Sequence, residues 1–145
     1  MGYQNDLLVG FAQLLADATV GTWSTSAAYS AGDKGITLQV LPTSPDDVIA
    51  LSTYPVTDDP TLSDSVTGLQ VMTRQTGADP RPTNDLADSV FDQLQGLAGV
   101  DLSTGLHVVF CEHRSGSLLG QDDNKRWSRS DNYYVTTHRP SPNRQ

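Results

Sequence analysis

Cysteine is almost missing from this 145-residue chain. Cys111 stands alone, so no internal disulfide can form and packing has to hold the fold. Glutamate is just as scarce: sixteen of the seventeen acids are Asp, Glu112 is the exception, and two lysines stand against seven arginines. No apolar run approaches the roughly 20 residues of a membrane-spanning helix, so no membrane segment is expected. The opening residues, Met1 to Asp6, lack a basic stretch followed by an apolar one, so no secretory signal is expected and folding is assigned to an intracellular compartment. Cations are short overall, with a formal net charge of -8. They are also unevenly placed. Residues 1–100 hold three Lys and Arg against twelve Asp, whereas residues 101–145 hold six against five acids. A duplex-binding module would show a basic face that displaces counterions from phosphate, and an anionic body argues against one. Like charge still suits a surface that nucleic acid slides past.

What remains is the pattern of a globular domain. A hydrophobic content of 37% and this length allow one core that buries roughly two-thirds of the unfolded surface. Leu7, Leu8, Phe11, Leu14, Leu15 and Ala18 recur at helical spacing, predicting an amphipathic helix over 5–18 capped by Asn5 or Asp6. Residues 19–34, rich in Gly, Ser, Thr and Ala, predict a loop. Strands are predicted over 36–41, 48–54 and 66–75, and their short separations point to an antiparallel meander. Thr83 is read as the cap of a second helix. Leu86, Val90, Leu94 and Leu97 form its inner face, Asp85, Asp88 and Asp92 its outer one, and Gly96 and Gly99 its stop. Further strands are predicted over 106–114, 118–120 and 127–138. The fold class is α+β: a small, mainly antiparallel sheet with two amphipathic helices on one face, in the order α-β-β-β-α-β-β(-β). One domain is expected over 1–138, followed by a flexible tail over 139–145.

Chemistry has few places to reside. His107, Cys111 and His113 alternate along one predicted strand and would share a face, as a zinc site requires, yet no Cys-x-x-Cys or His-x-x-x-His spacing supports it. Cys111 with His113 as nucleophile and base lacks the context that lowers a thiol pKa, and a small buried side chain is the preferred reading. Gly116 to Gly120 misses the serine-hydrolase spacing. The paired acids Asp46-Asp47, Asp58-Asp59 and Asp122-Asp123 read as turn formers, without a calcium-binding ladder. Lys125, Arg126, Trp127 and Arg129, followed by Tyr133 and Tyr134, mix cations with rings. Such a cluster suits single-stranded nucleic acid or a protein interface, and the second reading is preferred because Trp, Tyr and Arg are enriched at interface hot spots.

Two stretches carry a family likeness. One is Gly68-Leu69-Gln70-Val71-Met72-Thr73-Arg74, followed by Asp79-Pro80 and the helix Leu86 to Leu94. The other is Leu119-Gly120-Gln121-Asp122-Asp123-Asn124-Lys125-Arg126, followed by Ser130-Asp131-Asn132-Tyr133. In order and spacing they resemble the tail terminator proteins of long-tailed phages, also described as minor capsid or head–tail joining proteins, over residues 5–137. The resemblance implies a non-enzymatic virion protein without cofactor or metal, made in the host cytoplasm. It implies a ring, hexameric as a rule, that ends tail-tube growth, meets the tail-tube protein and the head–tail connector or stopper, and lets DNA pass through its lumen without specific binding. Arg74 and Arg126 are assigned to ion pairs or contacts. Trp127, Arg129, Tyr133 and Tyr134 are contact candidates, and Leu119, Gly120, Asp122 and Asn132 form a hairpin contact surface. Another connector, stopper or tail-tube protein is the alternative within the virion. Outside it stand a small hydrolase or nuclease and a nucleic-acid-binding accessory protein.

Overall fold

In the computed structural model, residues 2–26 and 28–145 are described. The first helix, α1, spans Tyr3–Asp17 and buries Leu7, Leu8, Phe11 and Leu15. It begins earlier than its apolar stripe predicts. Gly2 occupies the cap position with no side-chain hydrogen bond, and Asp6 lies inside the first turn, so neither Asn5 nor Asp6 is the cap. Three strands follow: β1 (Gly35–Leu38), β2 (Val48–Thr57) and β3 (Asp64–Thr76). The second helix, α2, spans Arg81–Leu94, and β4 (Ala98–Asp101), β5 (His107–Gln121) and β6 (Arg126–His138) complete the chain.

The six strands form one sheet in the order β1-β2-β3-β6-β5-β4. Residues of both helices join a single core with Ile49 and Leu51 of β2, Leu69 and Val71 of β3, Cys111 of β5, and Tyr133 and Val135 of β6. Strand pleating explains the choice. Ser65, Thr67, Leu69, Val71 and Thr73 alternate inward along β3, while Gln70 and Met72 face the opposite way.

Four expectations change. The pairing of β1 with β2 is parallel, so the first three strands are not an antiparallel meander. Gln39 has φ 63 and ends β1 three residues early, and the chain then crosses the outer side of the sheet to start β2. Thr83 is buried within α2 and its hydroxyl donates to the Trp127 carbonyl at 3.3 Å. The free N–H at the helix start belongs to Arg81 and is taken by the Asp79 carboxylate at 3.0 Å, because Pro82 has none to offer. Gly96 does end the helix region at φ 79, but Gly99 lies inside β4, a strand whose mainly exposed residues show no apolar alternation. The stretches 106–114 and 118–120 are one long strand carrying irregularities between 108/110, 113/115 and 118/120.

The segment after His138, expected to be loose, is tied to the β2–β3 turn. Arg144 donates to the carbonyls of Leu62 and Asp64, each at 2.6 Å. Arg139 lies 3.8 Å from the centre of the Tyr3 ring.

Candidate functional site

The β5–β6 hairpin end of the sheet gathers most of the residues singled out from the sequence. Its turn is built by Asp122, whose carboxylate accepts the backbone N–H groups of Asn124 and Arg126 at 2.9 Å each. Lys125 adopts φ 59 to close it. The hydrogen bond from the Arg126 backbone, reinforced by that residue's guanidinium, holds the Asp122 carboxyl below the usual carboxylate range.

Arg126 does more than close the turn. Only 5% exposed, its guanidinium donates to Asp122 at 2.9 Å and to the Thr43 carbonyl at 2.6 Å, and lies 3.3 Å from Asp46. Arg74, 2% exposed, works from beneath and donates to the carbonyls of Asp46, Pro42 and Pro45 at 2.8, 2.7 and 2.7 Å. Two buried guanidiniums thus pin the 39–47 segment against the ends of β3 and β6. The planar five-donor fork is what makes this possible, since three carbonyls arranged around one group need donors in a fixed geometry. The carbonyls themselves carry no signal in the sequence, where Pro42 and Pro45 read only as chain breaks.

The other candidates divide between the two faces of the sheet. On the helix side, Trp127 donates its indole N–H to the Ala78 carbonyl at 3.1 Å. Arg129 pairs with the buried Asp131 at 3.0 Å, and His113 meets the same carboxylate at 2.9 Å. Tyr133 is fully buried and packs edge-on to His113, and burial pushes its hydroxyl pKa up. Tyr134 and Asn132 face outward. Arg114 sits 4.9 Å above the Tyr134 ring, and Asn132 joins Tyr54 and Ser115 through hydrogen bonds of 3.2 Å each. Tyr54 lies across Gly68, where any side chain would collide with its ring. The aromatic and basic residues therefore do not share one stacking platform: Tyr133 is inside, Tyr134 outside, and Arg126 is enclosed. Leu119 stands 54% exposed beside Gly120, which has φ 113.

The Cys/His alternation is broken by the fold. Val108 faces Thr137 and Cys111 faces Val135, so residues three apart share the helix side and His107 points the other way. His107 instead pairs with Asp101 at 2.6 Å. Among the described residues no three His, Cys, Asp or Glu side chains gather as a metal-binding group. Burial pushes the Cys111 thiol up to about 12, which keeps it protonated at neutral pH. A groove of about 480 Å³ between the end of α1 and α2 is lined by Lys34, Gln75, Asp85, Ser89, Asp92 and their neighbours, away from both Cys111 and the histidines.

A family model described as bacteriophage tail terminator protein matches residues 14–139. Among curated proteins nothing matches. Among solved structures, a chain from the virion of a native gene transfer agent particle has a similar fold, with a TM-score of 0.58 at 13% identity, covering 90% of this chain and 93% of that one.

Proposed function

We propose, from the premise that this chain belongs to the bacteriophage tail terminator family, that copies of it close into a ring capping the tail tube and joining it to the head–tail connector. Membership makes it a structural protein of the virion, placed in the tail at the head–tail interface. The match over 14–139 carries the reading, because it takes in every strand and α2.

The geometry supports the finer statement in three ways. The sheet ends in unlike edges, which suits head-to-tail contacts, and such contacts close a ring when the rotation between neighbours allows. The outward face carries Ser52, Tyr54, Gln70, Ser130 and Asn132, neutral groups bonded to one another and not aimed at phosphate. Combined with a net charge of -8, such a body lets DNA pass without gripping it. Leu119, Gly120, Asn132 and Tyr134 on the outer side of the hairpin, Asp122 at its turn, and Trp127 and Arg129 on its helix side serve as contacts toward a neighbouring subunit, the tube or the connector. Arg74, Arg126 and the buried Tyr133 hold that surface in shape from within.

Light scattering of the purified chain, alone and with its tail-tube protein, tests the reading. A particle of about six times the 15.6 kDa chain is expected in at least one condition. A stable dimer in both conditions would overturn the ring.

A further inference from the structure

One row of the outer face runs across β2, β3, β6 and β5 at a single height. Ala50 faces Met72, Met72 faces Ser130, and Ser130 faces Ser117, so four strands send side chains the same way along one line. Both ends of the row finish in apolar side chains left largely exposed by the described residues. At the β1–β2 end, Val40 and Leu41, 62% and 45% exposed, share a shallow concavity with Ala50 and Met72. At the β5 end, Leu119 shares one with Ser117 and Ser130.

The edges themselves differ. The outer side of β1 is closed. Ile36 gives its N–H to the Thr22 carbonyl at 2.8 Å, and its own carbonyl accepts the Tyr29 hydroxyl at 2.6 Å. The outer side of β5 is closed only at its start. β4 pairs with it as far as Phe110, the 96–97 backbone bonds to Cys111, and the Gln95 side chain takes the His113 N–H. From Arg114 to Gln121 no described residue pairs with the side of the strand away from β6. An exposed strand edge carrying apolar side chains is a template for another chain.

We propose that this open edge, through Leu119, docks on the Val40–Leu41 shelf of a second copy, so that the outer row continues from one subunit into the next. This rests on the ring reading and names the contact that closes the ring. Two observations select the occupant. The two apolar ends lie at the same height, so copies set side by side bring them together without a vertical shift. The ends are unlike, one open and one plugged, which suits a heterologous contact.

The test is disulfide trapping in the full-length chain, alone and with tail-tube protein, using Val40→Cys with Leu119→Cys. Both sites are exposed, so the variants should fold, and the native Cys111 is buried and serves as a silent background. Mild oxidation should yield a ladder of linked chains from the double variant and none from either single variant. Leu41→Cys with Leu119→Cys provides a second thiol geometry. Leu119→Asp should raise the concentration for half-assembly about tenfold, the scale of one lost interface anchor. Dimers from Leu119→Cys alone would mean that like edges meet, and the proposal fails. If neither pair links while scattering reports a ring, the contact lies elsewhere and only this proposal falls. If neither links and no ring forms in either condition, the ring reading falls with it.

Discussion

Arg74 is the residue on which the hairpin end depends most. Its guanidinium is enclosed and satisfies three carbonyls of the 42–46 segment, so removing it strands acceptors that water cannot easily reach. Arg74→Ala is expected to cost about 3 kcal/mol, and Arg74→Lys should recover little of it, since a single ammonium cannot reproduce the fork. Urea denaturation would check both, and a loss under about 0.5 kcal/mol would show that the segment is held by other means. Asp122 acts through charge. Its carboxyl pKa is lower in the folded chain than in the unfolded one, so the ionised form favours folding. That contribution is present above the unfolded pKa near 4 and is lost as pH falls through the lower folded value. Asp122→Asn should therefore flatten the acid side of the stability profile and leave the slope between about pH 6 and 8 unchanged. An unaltered acid limb would remove Asp122 from the account.

At the scale of elements, α2 shows how a helix can be read correctly through its middle and wrongly at both ends, since Leu97, expected on the inner face, lies beyond the last turn. Leu86, Val90 and Leu94 are buried as their spacing predicts, because a helical period lays them on one stripe whatever lies beneath. Leu94→Ala should cost roughly 2–5 kcal/mol by leaving a cavity against the sheet. A melting temperature unchanged from the parent would show that this face is not buried. The start of α2 is decided by which N–H is left without a partner, and Asp79 lies beyond the window in which Thr83 looks like a cap. The strands divide in the same way. β3 and β6 alternate clearly because they are central and have one core-facing side. β4 pairs on one side only, through a mainly exposed stretch, and leaves almost no trace in the pattern. β2 runs on through Pro55 because β1 reaches only as far as Leu51, so no neighbour needs an N–H there.

For the whole molecule, the controlling quantities are net charge and the two ends of the sheet. With a net charge of -8, the assembled protein should show no measurable affinity for duplex DNA even at about 50 mM salt, where phosphate contacts are strongest. Gel-shift titration checks this, and salt-sensitive binding would mean that the cations of residues 101–145 form a DNA-facing surface. The parallel β1–β2 pairing also belongs to this scale. A parallel connection ordinarily takes a dozen or more residues. Here residues 39–47 manage it by crossing the outer face under the hold of Arg74 and Arg126, which places Val40 and Leu41 where a neighbour could reach them.

The sequence by itself determined the fold class, both helix stripes, the central strands and, through two motif strings in order, the family. These features are written in periodicities and local residue types, which act over a few positions of the chain. Only the tertiary structure decided the parallel first pair, the fourth strand, the separation of His107 from Cys111 and His113, and the enclosure of Arg74 and Arg126. Each of these turns on a backbone carbonyl, a bulge or an unpaired edge that comes from a distant part of the chain. Backbone groups are alike in every residue, so no residue type announces where they will meet.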